Sequence, residues 1–148
     1  MFEETKRLEE LRQKIETIEN ESGSLSDYLD RGKPNPGEQK AAMERMKSLD
    51  EEAKQLKNQL HDLIASSPRE AVEEWVNFHA AILNRIIAEP VKDANSRTRV
   101  FVAKQTLENW EKVRSGELDY VGINWYFLKD YKEEVSRSDA GKWWQFWK

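Results

Sequence analysis

The chain contains no cysteine. That alone excludes disulfide frameworks, thiolate catalysis and cysteine-based zinc sites. It also lacks a long apolar run: no stretch approaches the ~18 uncharged apolar residues of a membrane-spanning helix. The opening Met1-Phe2-Glu3-Glu4 lacks the basic-then-apolar pattern of a secretory leader. The expectation is a cytoplasmic home, or one within a virion or other particle, with no signal peptide and no transmembrane helix. A basic block is missing too. Lysine and arginine number 24 against 28 acidic residues, for a net charge of -4. Residues 1–30 are the acidic part, with nine acids against four bases. Phosphate neutralisation supplies most non-specific affinity for nucleic acid, so nucleic acid is not an expected partner. The one local basic spot is Arg97-Thr98-Arg99 with Lys104 further along. It is a candidate anion contact, set against the more frequent solvated helix start.

Charged residues make up 35% of the chain, hydrophobic ones 38%, and the mean hydropathy is -0.90. An average closed domain carries less charge than this. At least one elongated, charged element should therefore stand out from the core.

Two heptad strings supply it. Leu8, Leu11, Ile15, Ile18, Ser22, Leu25 and Leu29 alternate steps of three and four. So do Ala42, Met46, Leu49, Ala53, Leu56, Leu60 and Leu63. Each is a coiled-coil seam. Arg31-Gly32-Lys33-Pro34-Asn35-Pro36-Gly37 lies between them and breaks the helix. The prediction is an antiparallel coiled-coil hairpin over residues 1–66 with its loop at 31–37. Parallel pairing of one arm in a dimer is the alternative. Ser22-Gly23-Ser24 interrupts the first seam, and a mid-helix glycine costs ~1 kcal/mol. With Asp27, Ser24 could cap a fresh helix there.

A second region, 67–136, reads as a three-helix domain. Ser67-Pro68-Arg69-Glu70 is a helix start. Val72, Trp75, Val76, His79, Ile82, Leu83, Ile86 and Ile87 form a wide apolar face that ends at Pro90. A fourth helix carries Val100, Ala103, Leu107, Trp110 and Val113, and Ser115-Gly116 closes it. A fifth is predicted from Leu118 through Val121, Trp125, Leu128 and Tyr131 to Val135. Trp75, Trp110 and Trp125 read as core anchors. Phe2, Leu60, Leu63 and Ile64 should pack the hairpin base onto this domain. The fold class expected is all-α.

Residues 137–141 are a polar spacer. Residues 142–148 read Lys142-Trp143-Trp144-Gln145-Phe146-Trp147-Lys148, a Trp-rich tail. Rings left in water invite aggregation, so they need a destination. Three compete: the chain's own bundle, a groove on a protein partner, and a membrane interface. Partner docking through Trp143, Trp144, Phe146 and Trp147, flanked by Lys142 and Lys148, is the favoured reading.

Catalytic patterns are scarce. His79 is a candidate general base but sits on an apolar face, where a core histidine is the commoner use. His61 should be exposed. Glu9-Glu10, Glu51-Glu52, Glu73-Glu74 and Glu133-Glu134 are adjacent pairs, which on a helix point about 100° apart and read as solvated faces. No Glu-x-x-His, His-Glu-x-x-His, Gly-rich phosphate loop or nucleophile elbow occurs. The expectation is a non-enzymatic interaction or assembly protein, such as a structural component, scaffold or adaptor. It would need no cofactor, and would take protein partners or self-associate. The alternatives are a peripheral membrane protein held by the tail and a nucleic-acid-associated regulator.

Overall fold

Local chemistry sets the helix boundaries. In the computed structural model, which describes residues 2–124 and 126–137, five helices follow one another: α1 (Glu3–Arg31), α2 (Pro36–Ser66), α3 (Arg69–Ile87), α4 (Ala94–Ser115) and α5 (Lys129–Arg137). No strand occurs among the described residues. Asn35 caps α2: its side chain accepts from the Glu38 N–H at 2.8 Å, the Glu38 carboxylate reaches back to the Asn35 N–H, and Pro36 occupies the first turn. Asp93 and Ser96 make the same reciprocal box at the start of α4. Gly116, at φ 85°, closes α4 in the left-handed conformation that glycine adopts without a Cβ clash.

Two boundaries differ from the sequence expectation. α1 runs straight through Ser22-Gly23-Ser24 rather than restarting at Ser24. Nothing lies within 4 Å of where a Gly23 Cβ would sit, so the glycine faces open space. Exposed cross-helix ion pairs link α1 to α2 just N-terminal to it. Glu21 meets Arg45 at 2.9 Å and Glu19 meets Lys57 at 2.6 Å. The second correction is larger. The helix expected from Leu118 begins only at Lys129. Residues 118–124 carry no helix, and burial alternates over the last four: Val121 and Ile123 are buried, Gly122 and Asn124 exposed. That period of two belongs to extended chain. The Val121 carbonyl accepts from Arg12 on α1, a bond that helical backbone would have spent on itself. Trp125 lies outside the described residues.

α1 and α2 turn back on each other through the short connection at 32–35. One continuous apolar core then joins Leu8, Ile15 and Leu60 to Val72, Trp75, Val76, Leu83, Ala103, Trp110, Val113, Leu128 and Tyr131. Leu63 and Ile64 pack against it, half-buried. Phe2 does not join it as expected. Its side chain is largely exposed, and its backbone N–H donates to the Glu74 carboxylate at 3.1 Å. Ala42, Leu49 and Ala53 are buried yet belong to no part of this core. Among the described helices, α1 is the one that packs closely on α2. The tip half of the α1–α2 pair is therefore an arm that stands away from the body.

On the wide apolar face of α3, Ile82, Leu83 and Ile86 are buried within one chain, and Ile87 is half-buried. α1, α4 and α5 all lie against α3.

Two outcomes follow from this division. Leu60→Ala, at a fully buried core position, should cost about 2–5 kcal/mol in urea unfolding. Backbone amides of residues 22–31 should exchange with solvent faster than those of residues 8–16, because only one neighbour covers them. Equal protection along α1 would contradict the arm.

Candidate functional site

The base of the arm holds the densest polar chemistry in the molecule. Thr5, Leu8, Glu9, Arg12, Ile15 and Glu16 form one face of α1, and all are buried. Helical spacing puts Glu9, Arg12 and Glu16 on that face together. The α3 residues Trp75 and His79, four apart, meet them from the other side. Tyr131 of α5 and Trp110 of α4 complete the group. Glu9, Arg12, His79, Tyr131, Trp75 and Trp110 all have 0% exposure.

Glu9 is the centre. Its carboxylate accepts from Arg12 Nε at 2.9 Å and Nη2 at 2.8 Å, a bidentate pair. Trp75 Nε1–H donates to Oε1 at 2.9 Å, and Gln13 Nε2 donates to Oε2 at 3.0 Å. His79 Nε2 lies 2.7 Å from Oε1. Arg12 turns its remaining nitrogen, Nη1, to Glu16 at 2.7 Å and to the Val121 carbonyl at 3.3 Å.

The protonation states follow from these partners. Burial works to raise the Glu9 carboxyl, but the Arg12 guanidinium and His79 outweigh it and hold the group well below the ordinary range. Burial also works to lower Arg12, and Glu9 overturns that, so Arg12 stays charged. Burial lowers His79 to about 4; Glu9 opposes this, and nearby Arg12 adds to it. His79 is therefore neutral at pH 7. With Glu9 ionised, the imidazole proton sits on Nε2 and is donated to the carboxylate. Nδ1 is then an acceptor, and the Tyr131 hydroxyl, 2.5 Å away, donates to it. The Tyr131 oxygen in turn accepts from Trp110 Nε1–H at 3.0 Å. Burial raises the Tyr131 hydroxyl, which stays protonated. A single directional chain runs Trp110, Tyr131, His79, Glu9. The His79 ring also stacks on Trp110 with centroids 3.9 Å apart, and Trp75 meets Trp110 edge-on at 4.9 Å.

This arrangement has the catalytic residue types but no opening to a substrate. Each polar hydrogen named above has a partner inside the protein. Its chemistry is that of a lock. One carboxylate gathers donors from α1 and α3, Arg12 and the imidazole extend the set to residues 118–128 and α5, and the α1–α2 arm is fixed to the body at one register. Among the described residues, no group of three His, Asp or Glu side chains is placed to hold a metal ion.

The sequence reading missed this cluster. It placed His79 in the core, where it is, and His61 at the surface, where it pairs with Asp119 at 2.7 Å. But it put Glu9 on a solvated face, and Glu9 is fully buried. The available signal was Glu9, Arg12 and Glu16 sharing a face with Leu8 and Ile15, opposite a histidine in need of a polar partner.

The predicted anion contact is partly used up. Arg99 is committed to Glu89 at 2.9 Å and Asp130 at 2.8 Å, with a further bond to the Phe127 carbonyl. Arg97 and Lys104 lie exposed on the same helix. Lys142, Trp143, Trp144, Phe146, Trp147 and Lys148 lie outside the described residues. No helix among the described residues is long and apolar enough to cross a membrane.

Removing one member of a buried pair strands the other. Arg12→Met should therefore cost about 3–5 kcal/mol. In a double-mutant cycle with Glu9→Gln the two changes should be non-additive by more than ~1 kcal/mol. The pH dependence has a definite sign. His79 has its pKa depressed from 6.5 to about 4, so its contribution is fully present above pH 6.5. It is lost as pH falls from 6.5 to 4, by roughly 3 kcal/mol, because only the unfolded chain takes up the proton. His61, raised by Asp119, works in the opposite direction, so the comparison is between wild type and His79→Gln. The variant should be less stable at neutral pH, with a flatter dependence between pH 6.5 and 4. Glu9, lowered in the fold, adds a further loss below its unfolded value near 4.5. Neither a family model, nor a curated protein, nor a solved structure matches this chain.

Proposed function

We propose that this chain is a non-enzymatic interaction or assembly protein. It presents a coiled-coil hairpin (α1–α2) and docks onto a partner protein through the aromatic segment 142–148. A small domain built from α3, α4 and α5 is the body from which both are offered. The observation that supports this is the arm itself. Toward its tip, α1 and α2 pack on each other among the described helices, and the base is held by a buried ionic network. A bare stability requirement would be met by a shorter hairpin. A long arm held at a fixed register delivers a surface at a set distance: about 24 Å for the sixteen helical steps from Ile15 to Arg31 at 1.5 Å each. The commitment of Arg99 to Glu89 and Asp130 speaks against the nucleic-acid reading, since it withdraws the central charge of the basic spot.

The test is co-purification from the native host with the full chain, beside a full-length variant carrying Trp143→Ala, Trp144→Ala, Phe146→Ala and Trp147→Ala. Aromatic anchors typically carry ~2 kcal/mol or more apiece in binding. The variant should therefore lose a protein that the wild type retains, while its melting temperature stays within a few degrees. Identical recovered proteins from both would sink the docking role. Blue-shifted tryptophan emission with vesicles, abolished in the variant, would transfer the segment to the membrane reading.

A further inference from the structure

The described helices divide into two parts. α2 packs closely on α1, α4 and α5 lie against α3, and α1 meets α3. In sequence the parts join through Ser67-Pro68, both extended, with ψ of 151° and 145°. The Glu9 network spans the surface where the two parts meet, from α1 to Trp75 and His79 of α3.

We propose that this network is an acid-released latch. Proton uptake at His79, followed by proton uptake at Glu9, frees the α1–α2 hairpin from the body, with Ser67-Pro68 as the hinge. The inference goes beyond the docking role and does not depend on what the chain binds, since it concerns how the hairpin is attached.

The order of the hydrogens supplies the reason. An indole nitrogen only donates, so Trp110 makes the Tyr131 oxygen an acceptor. The Tyr131 hydrogen is then committed to His79 Nδ1, 2.5 Å away, and His79 Nε2–H to Glu9, at 2.7 Å. A second proton on the imidazole must go to Nδ1, where it meets the Tyr131 hydrogen head-on. The phenol can turn its oxygen to accept it, but its own hydrogen then needs a new acceptor. Among the described residues Tyr131 has no hydrogen-bond partner besides His79 and Trp110. A buried donor left without an acceptor is costly. Release of the hairpin lets water take that hydrogen.

The surrounding charges give the direction with pH. α1 presents the Glu9 and Glu16 carboxylates and the Arg12 guanidinium, α5 the Tyr131 hydroxyl, and α4 the uncharged Trp110 ring. Tyr120, between α4 and α5, interacts with Glu9, Arg12 and Glu16. Burial lowers His79, Glu9 pulls it back up, Arg12 adds to the lowering, and the closed form titrates at about 4. In the released form the imidazole is in water and takes its proton at the ordinary 6.5. The released form thus holds an extra proton between pH 6.5 and 4, and falling pH draws the chain toward it. Glu9 acts in the same direction. Despite burial, Arg12 and His79 hold it low in the closed form, and in the released form it takes a proton near 4.5. His61 of α2 also pairs across the junction, with Asp119, which raises it. Its extra proton in the closed form counts above pH 6.5, so the window below belongs to His79 and Glu9.

Hydrogen exchange on the full chain tests this. The Trp75 indole N–H, bonded to Glu9 across the junction, reads release of the hairpin. The backbone N–H of Ala103, fully buried inside α4, reads opening of the whole chain. Both are followed at several urea concentrations below the unfolding transition, with rates corrected for intrinsic exchange. Between pH 6.5 and 4.5 the opening constant at Trp75 should rise about 80-fold, about 40-fold from His79 and about twofold from Glu9. In His79→Gln the rise should shrink to about twofold. At each pH Trp75 should open more often than Ala103, with a urea slope that is smaller but not zero, because release exposes the junction and not the whole core. Equal opening constants and urea slopes at the two positions would mean that the chain opens only as a whole, and would overturn the latch. A zero slope at Trp75, the mark of a side-chain fluctuation, would do the same. So would a rise under tenfold in the wild type, or an undiminished rise in a folded His79→Gln. The wild-type readouts decide the matter by themselves if the variant does not fold.

Discussion

The structure depends on one carboxylate being kept charged without water. Glu9 has lost all contact with solvent, a transfer that would cost several kcal/mol for an unpaired ion. Arg12, Trp75, His79 and Gln13 replace the water with oriented donors. With His79 neutral, Glu9 and Arg12 balance each other, and Glu16, at the margin of the cluster, takes the remaining guanidinium edge. The cluster is stable only as a complete set. That is why α1, α3, α4 and α5 must arrive together.

Buried ion pairs are often no more stabilising than apolar replacements of the same shape. What this one contributes is direction. A leucine seam tolerates a slide of one heptad, because every position looks alike. Glu9 and Arg12 do not tolerate it, because a slide would strand a charge in an apolar interior. Trp75 Nε1 and His79 Nε2 point at a single oxygen, and only one axial position of α1 supplies it. Thr5 adds a second pin, donating its hydroxyl to the Ala71 carbonyl at 3.0 Å. Register along the arm is set at its base and carried outward by the helices.

Much of the architecture was legible in the residues, because it rests on periodicity and breaker chemistry. The all-helical character follows from the heptads and the 3.6-period stripes. The stop at Gly116 and the buried Trp75 and Trp110 follow from local rules of the same kind. Two things escaped. Residues 118–128 have apolar positions that suit a helix and a strand nearly equally. The choice is made by a long-range bond, Arg12 to the Val121 carbonyl, which no local window contains. Glu9 and Arg12 escaped because a charge on a heptad helix is solvated in most cases. The exception is decided by what faces it, and the histidine that faces Glu9 lies seventy residues away.

The same division explains how one chain can be rigid and still offer variable contacts. Its polar groups are spent where the arm joins the body, and the fixed point lies at the junction. Outward from there the arm is held by Ala42, Leu49 and Ala53 against α1, with ion pairs that solvent screens. Such pairs add little stability, and they exchange readily for a partner's charges.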